Sequence, residues 1–592
     1  MDRKAVIVLI VSFLLLVAWY PLVNLIYPPK PLPEQTNAVS RASQTHGVTV
    51  ATSAPPSAFL SAAPTNLPPR PKPGPEAPEK LERLVHEGIT YIFTSHGGGL
   101  KAIELDPKKY PQTIRRKKGE QAQEPGVVLN RGALAPVLAL GGHPALEEDG
   151  IYELQRVGPG VRAEKTLSNG LHIVKEFLPS TNYLVKALVR IENRGPQPAI
   201  LPTHEVLAGT ASLVHSREEV MQLGVFVRDP KRTKHLDEGW FANRTLGCFP
   251  GTPRLVYRSE GEPVTWVAAH NRFFALAAIP AQPAAEAVAR KVDLPLGEKD
   301  PVKNTGFEAA LVFRGQTVEP GTSVVHHITL YVGPKEYNGL ARLAEQMKND
   351  LDHLMKFNGF FGFFSKVLLL SMNGLHDAFK LPYGLAIIVI TIIIKLLFWP
   401  LTKASTRSMK RLAELQPEMN KIREKYKDDP QKMNRKMMEF MKEHKVSPLG
   451  GCLPMLIQIP VFFGFYFMIQ SAIELRGASF LWAWDLSVPD TVATLAGFPI
   501  NPLPLIMGAT MFWQAKLTPP SPGMDPTQQK IMQYMPLIFL FVLYNMSSGL
   551  TLYWTVQNIL TIVQTKITKT QDAKNQPSTP APAPAAPGRR KP

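Results

Sequence analysis

The last third of the chain consists mainly of long apolar segments, and these constrain the fold more than any other feature. Five of them are candidate membrane spans, at about 383–401, 453–473, 500–516, 531–546 and 549–567. A helix needs roughly 20 apolar residues to cross a normal bilayer. The third and fourth segments are shorter, so we expect them to lie buried in a helix bundle or where the bilayer is thin.

A sixth candidate span begins the chain. Arg3 and Lys4 precede an apolar run that continues to Tyr27, and the best small-residue cleavage site, Ala38–Ser40, lies well beyond it. We therefore predict an uncleaved transmembrane anchor over residues 1–27, with a cleaved signal peptide as the alternative.

The region between the anchor and the apolar segments has two parts. Residues 28–80 are rich in Pro, Ala and Ser and cannot bury a core, which predicts a disordered linker. From Leu81 onward, runs such as ITYIFTS, LHIVKEF and YLVKALVRIEN alternate between apolar and polar residues and are separated by turn residues. This period of two predicts an antiparallel β-sandwich domain over 81–345.

An aromatic-rich segment leads from this domain to the first of the five spans. Residues 357–379 carry Lys366, His376 and Asp377 on an otherwise apolar surface. We predict a juxtamembrane amphipathic helix over 346–380 that lies in the membrane interface, with a crossing helix as the alternative.

Charge orients the chain across the membrane. Residues 402–446, within the five-span core at 381–568, are dense in Lys and Arg and are expected in the cytoplasm. The fold class is therefore a polytopic α-helical membrane protein with six spans and both termini inside. Its β-sandwich would lie in the periplasm, and a disordered basic tail at 569–592 in the cytoplasm.

Within the cytoplasmic segment, apolar residues recur at steps of three and four, from Met409 to Tyr426 and from Met433 to Met441. This spacing predicts two amphipathic helices folded into an antiparallel hairpin. Its methionine-rich seam is either the core of the hairpin or an adaptable surface for apolar clients.

A charged residue interrupts the first of the five segments. Lys395 lies six residues before Leu401, which places it roughly 9 Å from the cytoplasmic end of a helix. The amine either extends to the lipid headgroups or faces a water-filled cavity within the bundle. Thr391 lies one turn earlier on the same face.

Other polar residues favour the cavity. They include Gln458 in the segment 453–473 and Tyr553, Gln557 and Asn558 in the last segment. Hydrogen bonds between helices are the alternative explanation for such residues. The five segments contain no Asp or Glu, which disfavours a proton or cation transporter. A fixed positive charge without a counter-ion suits a site that transiently receives negative charge.

Several runs resemble the YidC–Oxa family of membrane protein insertases. In the apolar region these are WPLTKASTRSM, PLGGCLPMLIQIP, GATMFWQAKLTP, DPTQQKIMQYMP and SSGLTLYWTVQNILTIVQ. In the predicted β-domain, TSHGGGLKAIEL, GLHIVKEF and LYVGPKEY resemble the periplasmic domain of bacterial members.

The resemblance implies a function and a site. It implies a hydrophilic groove, open to the cytoplasm and to lipid, that carries one positive charge, usually arginine and here Lys395. A lysine keeps the charge but lacks the two-pronged geometry of guanidinium. The positions that match the family's groove and client-contacting surface are Thr391, Gln458, Ile459, Pro460, Val542, Tyr553 and Trp554.

The expected function is insertion of nascent membrane proteins into the bacterial inner membrane. A Sec translocon, the ribosome and anionic lipids are further candidate partners, since the net charge is +18. We expect no recognition of a nucleic-acid sequence.

Sequence features for catalysis are weak. HGGG at His96–Gly99 resembles an oxyanion loop, but no G-x-S-x-G nucleophile elbow occurs. The pair His326–His327 on an alternating strand would point to opposite faces. Cys248 and Cys452 lie in separate regions, and no phosphate loop is present. We therefore predict no enzyme activity, metal or cofactor. The alternative function is a membrane-anchored periplasmic domain that binds or modifies carbohydrate.

Overall fold

The computed structural model describes residues 78–112, 125–214, 218, 220–244, 251–259, 261–295, 304–357, 359–444, 453–517 and 526–574. The predicted anchor at 1–27 and most of the linker at 28–80 lie outside the described residues, as does the chain beyond 574. The protein divides into two compact units, 1–355 and 356–592. We call them the β-rich unit and the helical unit.

The strands of the β-rich unit are paired antiparallel throughout its described part. They are β1 Leu81–His86, β2 Ile89–Thr94, β3 Gly99–Glu104, β4 Val128–Leu129, β5 Leu140–Gly141, β6 Glu153–Val157, β7 Gly160–Thr166, β8 Leu171–Pro179, β9 Leu184–Asn193, β10 Ala199–Leu201, β11 His204–Ala211, β12 Gly224–Arg228, β13 Thr233–Asp237, β14 Val256–Arg258, β15 Trp266–His270, β16 Phe274–Pro280, β17 Glu286–Asp293, β18 Thr305–Phe313, β19 Gln316–Val318 and β20 Ser323–Pro334. Two short helices, α1 (Pro144–Glu147) and α2 (Glu238–Ala242), interrupt them.

Two large sheets pack face to face and form the core. One has nine strands in the order β13-β12-β15-β16-β20-β9-β8-β7-β6, and the other has five in the order β14-β17-β18-β11-β5. Strands β11 and β18 of the smaller sheet contact β15 of the larger one. Every residue of β11 is buried, because this strand is covered on both faces. The antiparallel sheets agree with the sequence prediction.

The β-rich unit ends in a helical segment that is anchored to the larger sheet. Helix α3 (Tyr337–Met347) is followed by a 3₁₀ turn over Leu351–Met355. The indole of Trp266 donates to the carbonyl of Asn349 at 2.6 Å. The single amphipathic helix expected over 346–380 is therefore split, and its first ten residues belong to the β-rich unit.

The helical unit contains the segments expected as spans. Its helices are α4 Gly359–Phe379, α5 Tyr383–Leu397, α6 Trp399–Glu414, α7 Gln416–Lys425, α8 Pro430–Glu443, α9 Leu453–Ser471, α10 Pro502–Leu517, α11 Pro526–Leu543 and α12 Ser548–Lys574. Within the described ranges, each helix taken alone is too short or too polar to cross a bilayer. Helices α4 and α5 together meet that requirement, with a bend of 119° between them.

Helix α12 is longer than the sequence analysis predicted. It continues through the first six residues of the tail expected to be disordered at 569–592, and ends at Lys574. The stretch TKTQDAK contains no Pro or Gly to stop the helix. Helix α12 contacts α5, α9 and α10 and so holds the unit together.

The basic segment at 402–446, expected in the cytoplasm, lies in three helices rather than the predicted two. Helix α6 ends at Glu414, and α7 begins at Gln416 with Pro417 in its first turn, a position proline tolerates. The side chain of Asp429 caps α8 by accepting from the backbone N–H of Lys432. Leu412, Met419 and Met441 pack together between these helices, so this part of the methionine-rich seam is a core.

Residues 472–501, which we call the capping loop, join α9 to α10. The loop contains a hairpin of two short strands, β21 (Ala493–Leu495) and β22 (Phe498–Ile500), that the sequence analysis did not predict. The backbone N–H groups of Ser548 and Gly549, at the start of α12, donate to carbonyls of the loop at 2.8 and 2.9 Å. The loop thus satisfies donors that a helix N-terminus leaves unpaired.

Candidate functional site

The site is built on one face of helix α12. Tyr553, Gln557, Thr561 and Gln564 follow one another at steps of four, four and three residues, which places them on a common side. Each of these side chains is hydrogen-bonded to a side chain on another helix. This face of α12 is therefore a continuous polar seam.

Lys395 on α5 turns toward this seam. Its ammonium donates to the hydroxyl of Thr561 at 2.8 Å, and the side chain is buried, with 8% of the residue exposed. The Thr561 hydroxyl in turn donates to the carbonyl of Gln557 at 2.7 Å. None of the ion pairs among the described residues includes Lys395, so a neutral hydroxyl is the acceptor seen for this buried cation.

Thr391 lies one turn before Lys395 and is fully buried. Its hydroxyl donates to the carbonyl of Ile387 within the same helix at 2.7 Å. This bond satisfies the hydroxyl within α5 and does not join Thr391 to the polar seam.

Gln458 on α9 joins two residues of the seam. Its amide nitrogen donates to the hydroxyl of Tyr553 at 2.5 Å, and its carbonyl oxygen accepts from Gln557 at 2.9 Å. The Tyr553 ring stacks on Phe465, with ring centres 4.0 Å apart. The structure thus brings three of the expected site residues into one hydrogen-bonded group.

Asn558 belongs to a different contact. It follows Gln557 by one residue, about 100° around the helix, and donates to the hydroxyl of Thr510 on α10 at 3.2 Å. Thr510 was not among the residues expected from the sequence. At the other end of the seam, Gln564 donates to Thr402 on α6 at 2.5 Å, another contact that sequence reasoning missed.

The expected apolar contact residues lie on two surfaces. Trp554 packs edge-on against Phe462 of α9, with ring centres 4.6 Å apart. Ile459 and Pro460 on α9 are half-buried, and Val542 on α11 is 57% exposed. These residues border the polar seam on α9 and leave an open apolar surface on α11.

The HGGG run in the β-rich unit has a structural role. The carbonyl of Gly97 accepts from the amine of Lys175 at 2.7 Å. A Cβ at Gly98 would lie 2.4 Å from the ring of Tyr152, so close packing requires glycine there. The expected absence of a catalytic role for this run remains a prediction.

The two histidines on β20 have different surroundings. The Nε2 atoms of His326 and His204 lie 3.3 Å apart, and burial lowers the pKa of His326 to about 4. His327 is exposed. Another group, Asp350, Asp352 and His353, has potential metal-ligand atoms within 4.8 Å of one another. Arg228 pairs with Asp350 and Thr233 bonds to His353, so these side chains anchor the 3₁₀ turn.

Comparisons with known proteins cover both units. Residues 374–575 match the family of the 60Kd inner membrane protein, and residues 148–370 match the YidC periplasmic domain. Together with the helical unit and the sheets described above, these matches define an inner-membrane protein with a helical core and a β-rich domain.

Relatives extend over most of the chain. The membrane protein insertase YidC of Oleidesulfovibrio alaskensis is 32% identical over 95% of this chain and 98% of its own length. That of Citrifermentans bemidjiense is 35% identical over 80% of this chain and 82% of its own. A crystal structure of an active YidC insertase aligns with 83% of this chain and 93% of its own, at 20% identity and a TM-score of 0.32.

The chain therefore belongs to the YidC family of membrane protein insertases. Its function is membrane protein insertion, as the sequence analysis predicted, and the carbohydrate-domain alternative is not favoured. Because the match to an insertase covers 95% of this chain, it also supports the prediction that the chain is not an enzyme.

Proposed function

We propose that the helical unit draws short hydrophilic tails of nascent membrane proteins into a groove lined by the polar seam of α12 and releases their apolar segments into lipid. The observation that carries this proposal is the bond from Lys395 to Thr561. A buried cation whose acceptor is a neutral hydroxyl is suited to receive a carboxylate from a client.

The proposed topology has six spans, with both termini in the cytoplasm and the β-rich unit in the periplasm. The density of Lys and Arg in residues 402–446 supports this orientation. The proposed domain limits remain those of the sequence analysis, except that the helical unit begins near residue 356 and helix α12 extends into the tail.

The physical problem for an insertase is the cost of moving polar groups through hydrocarbon. The apolar layer is about 30 Å thick, and each unsatisfied polar group costs several kcal/mol inside it. Gln458, Tyr553 and Gln557 offer hydrogen-bonding groups part of the way across. An ammonium carries three donors, and Thr561 accepts one of its protons, so a client carboxylate could bind alongside.

The apolar part of the client would leave on the side of α9 and α11. Ile459, Pro460, Trp554 and the exposed Val542 form the proposed surface for it. An apolar segment gains about 25 cal/mol for each Å² removed from water, which provides a driving force without nucleotide hydrolysis.

Nascent membrane proteins are the clients of this function. The Sec translocon, the ribosome and anionic lipids are proposed partners. The net charge of +18 supports the last two, because ribosomal RNA and lipid headgroups are anionic.

The test replaces Lys395 and varies the charge of the client. Lys395→Ala should slow insertion of a client with an acidic tail by about tenfold, the effect of losing roughly 1.4 kcal/mol, and a neutral-tailed client much less. Insertion is measured as protease protection in vesicles that contain the purified chain.

Lys395→Arg keeps the charge and should restore most of the rate. Lys516→Ala, which removes an exposed lysine at the end of α10, is the matched control and should leave both clients unaffected. Equal slowing of acidic and neutral tails by Lys395→Ala would contradict the role of the charge.

A further inference from the structure

The hairpin of the capping loop has an apolar tip. Leu495 and Phe498 are directly paired across β21 and β22, so their side chains lie on the same face. They are 71% and 60% exposed. The two residues between them, Ala496 and Gly497, have φ values of 48° and 81°, as the tightest hairpin turns require.

The hairpin is held firmly in this position. The hydroxyl of Tyr544, just after α11, donates to the carbonyl of Pro499 at 2.7 Å. The side chain of Asn501 donates to the carbonyl of Tyr544 at 2.9 Å. The exposure of Leu495 and Phe498 is therefore a fixed feature of the fold.

The tip is continuous with an apolar side of the helical unit. The ring of Phe498 stacks on Tyr544, with ring centres 5.2 Å apart. One turn before Tyr544, helix α11 exposes Phe541 and Val542. The hairpin thus extends the exposed apolar side of α11 beyond the end of the helix.

The composition of the hairpin favours lipid as its neighbour. Residues 491–500 contain no charged side chain, so the tip offers nothing to attract an anionic or cationic protein surface. In an inner-membrane protein, an uncharged apolar tip in line with the exposed side of a helix suits the boundary between acyl chains and headgroups. Aromatic side chains favour this boundary.

We propose that the hairpin at 493–500 is a membrane anchor. Leu495 and Phe498 insert among the lipid acyl chains at the end of the bundle where α9 ends and α10 begins. Under the proposed topology this is the periplasmic leaflet. The anchor holds the capping loop at a fixed depth over the start of α12. The inference depends on the membrane location of the family and not on the groove mechanism.

The experiment measures lipid contact at single positions in the full chain. With Cys248 and Cys452 replaced by Ser, a nitroxide label is attached at Leu495→Cys or Phe498→Cys. The chain is reconstituted in vesicles of phosphatidylcholine and phosphatidylglycerol. Collisions of the label are measured with oxygen, which concentrates in the bilayer, and with a polar nickel complex, which stays in water.

Thr494→Cys is the matched control, because adjacent residues of a strand point to opposite faces. We expect labels at 495 and 498 to collide more with oxygen and less with nickel than the label at 494. Equal access of nickel to all three labels would overturn the anchor. Protection of 495 and 498 from both reagents would also overturn it, since a protein would then cover the tip.

Two comparisons separate this inference from the proposed function. The labelled chains are assayed for insertion, which confirms that they fold. Lys395→Ala, combined with the label at 498, should leave the collision pattern unchanged even where insertion slows. A changed pattern in that variant would show that the depth of the hairpin depends on the groove, against the anchor as proposed.

Discussion

At the scale of single residues, both units bury a lysine whose bond in the structure is to a neutral oxygen. Lys395 bonds to Thr561 in the helical unit, and Lys175 bonds to the carbonyl of Gly97 in the β-rich unit. Lys175 is fully buried, and its amine lies 4.3 Å from the centre of the Tyr152 ring. Burial, with a smaller contribution from Lys165, lowers the pKa of Lys175 well below its usual value.

This depressed pKa makes the stability of the β-rich unit depend on pH. Between the folded-state pKa and the unfolded value near 10.5, the unfolded chain binds more protons at position 175. Stability therefore rises with pH across that window. Lys175→Met removes the proton and keeps most of the side-chain volume. We expect its unfolding free energy, relative to the wild type, to fall as the pH is raised from 6 toward 10.

The measurement is pulse proteolysis of the β-rich unit in the full chain, in urea at several pH values. Lys165→Met is the control, because it removes an amine that bonds to Asp149. The loss of this bond should lower stability throughout this pH range. A difference between Lys175→Met and wild type that does not change with pH would contradict burial of a titrating amine.

The sequence indicates which polar residues lie in apolar helices but not which of them pair. Lys395 and Thr561 are 166 residues apart, and Gln458 and Tyr553 are 95 apart. Their pairing depends on how each helix is rotated about its axis, and a periodic apolar pattern fixes that rotation only coarsely. The step of four residues between Gln557 and Thr561 was the available signal for the seam.

At the scale of elements, the helices were predictable and the short strands were not. The segment expected at 453–473 forms a helix over Leu453–Ser471, because a long apolar run has few alternatives inside a membrane. The hairpin at 493–500 has strands of three residues, too short for alternation to be recognised. The break at Leu415 was not predicted either. Proline is tolerated in the first turn of a helix, so Pro417 indicates a break only once the start of α7 is known.

The contact between α4 and α9 depends on a glycine. The hydroxyl of Ser365 donates to the carbonyl of Gly464 at 3.0 Å, and a Cβ at 464 would lie 2.8 Å from the Cβ of Phe364. Gly464→Leu should push α4 away from α9 and destabilise the helical unit by about 1–3 kcal/mol. Unfolding in mixed micelles measures the change.

Gly374→Leu is the matched control, because nothing lies within 4 Å of a Cβ at that position of α4. It should have little effect on the unfolding free energy. Comparable destabilisation by both substitutions would mean that leucine harms α4 generally and that the close approach at Gly464 is unimportant.

At the scale of the whole molecule, the division into a β-rich and a helical unit follows from the change of apolar period along the chain. Alternation with period two ends with β20 at Pro334, and long apolar helices begin at Gly359. The segment between them was harder to assign. Its helices bury Leu340 and Leu354 within the β-rich unit, although their sequence suits a membrane-surface helix equally well.

The basic C-terminus gives a prediction at the same scale. Arg589, Arg590 and Lys591 lie in the proposed cytoplasmic tail. Deleting residues 575–592 should reduce co-sedimentation of the chain with ribosomes, and the difference from wild type should shrink as salt is raised. Replacing those three residues by Gln keeps the length of the tail and should have a similar effect. Unchanged sedimentation after the deletion would exclude the tail as a ribosome contact.

Helix α12 has a consequence for how the protein itself is made. It provides the hydrogen-bonding partners described above for Lys395, Gln458, Thr510 and Thr402, which lie on four other helices. Because α12 follows these four helices along the chain, it leaves the ribosome after them, and until then their side chains lack these partners. The synthesis of α12 therefore completes this hydrogen-bond network, and a chain that stalls before residue 548 lacks it.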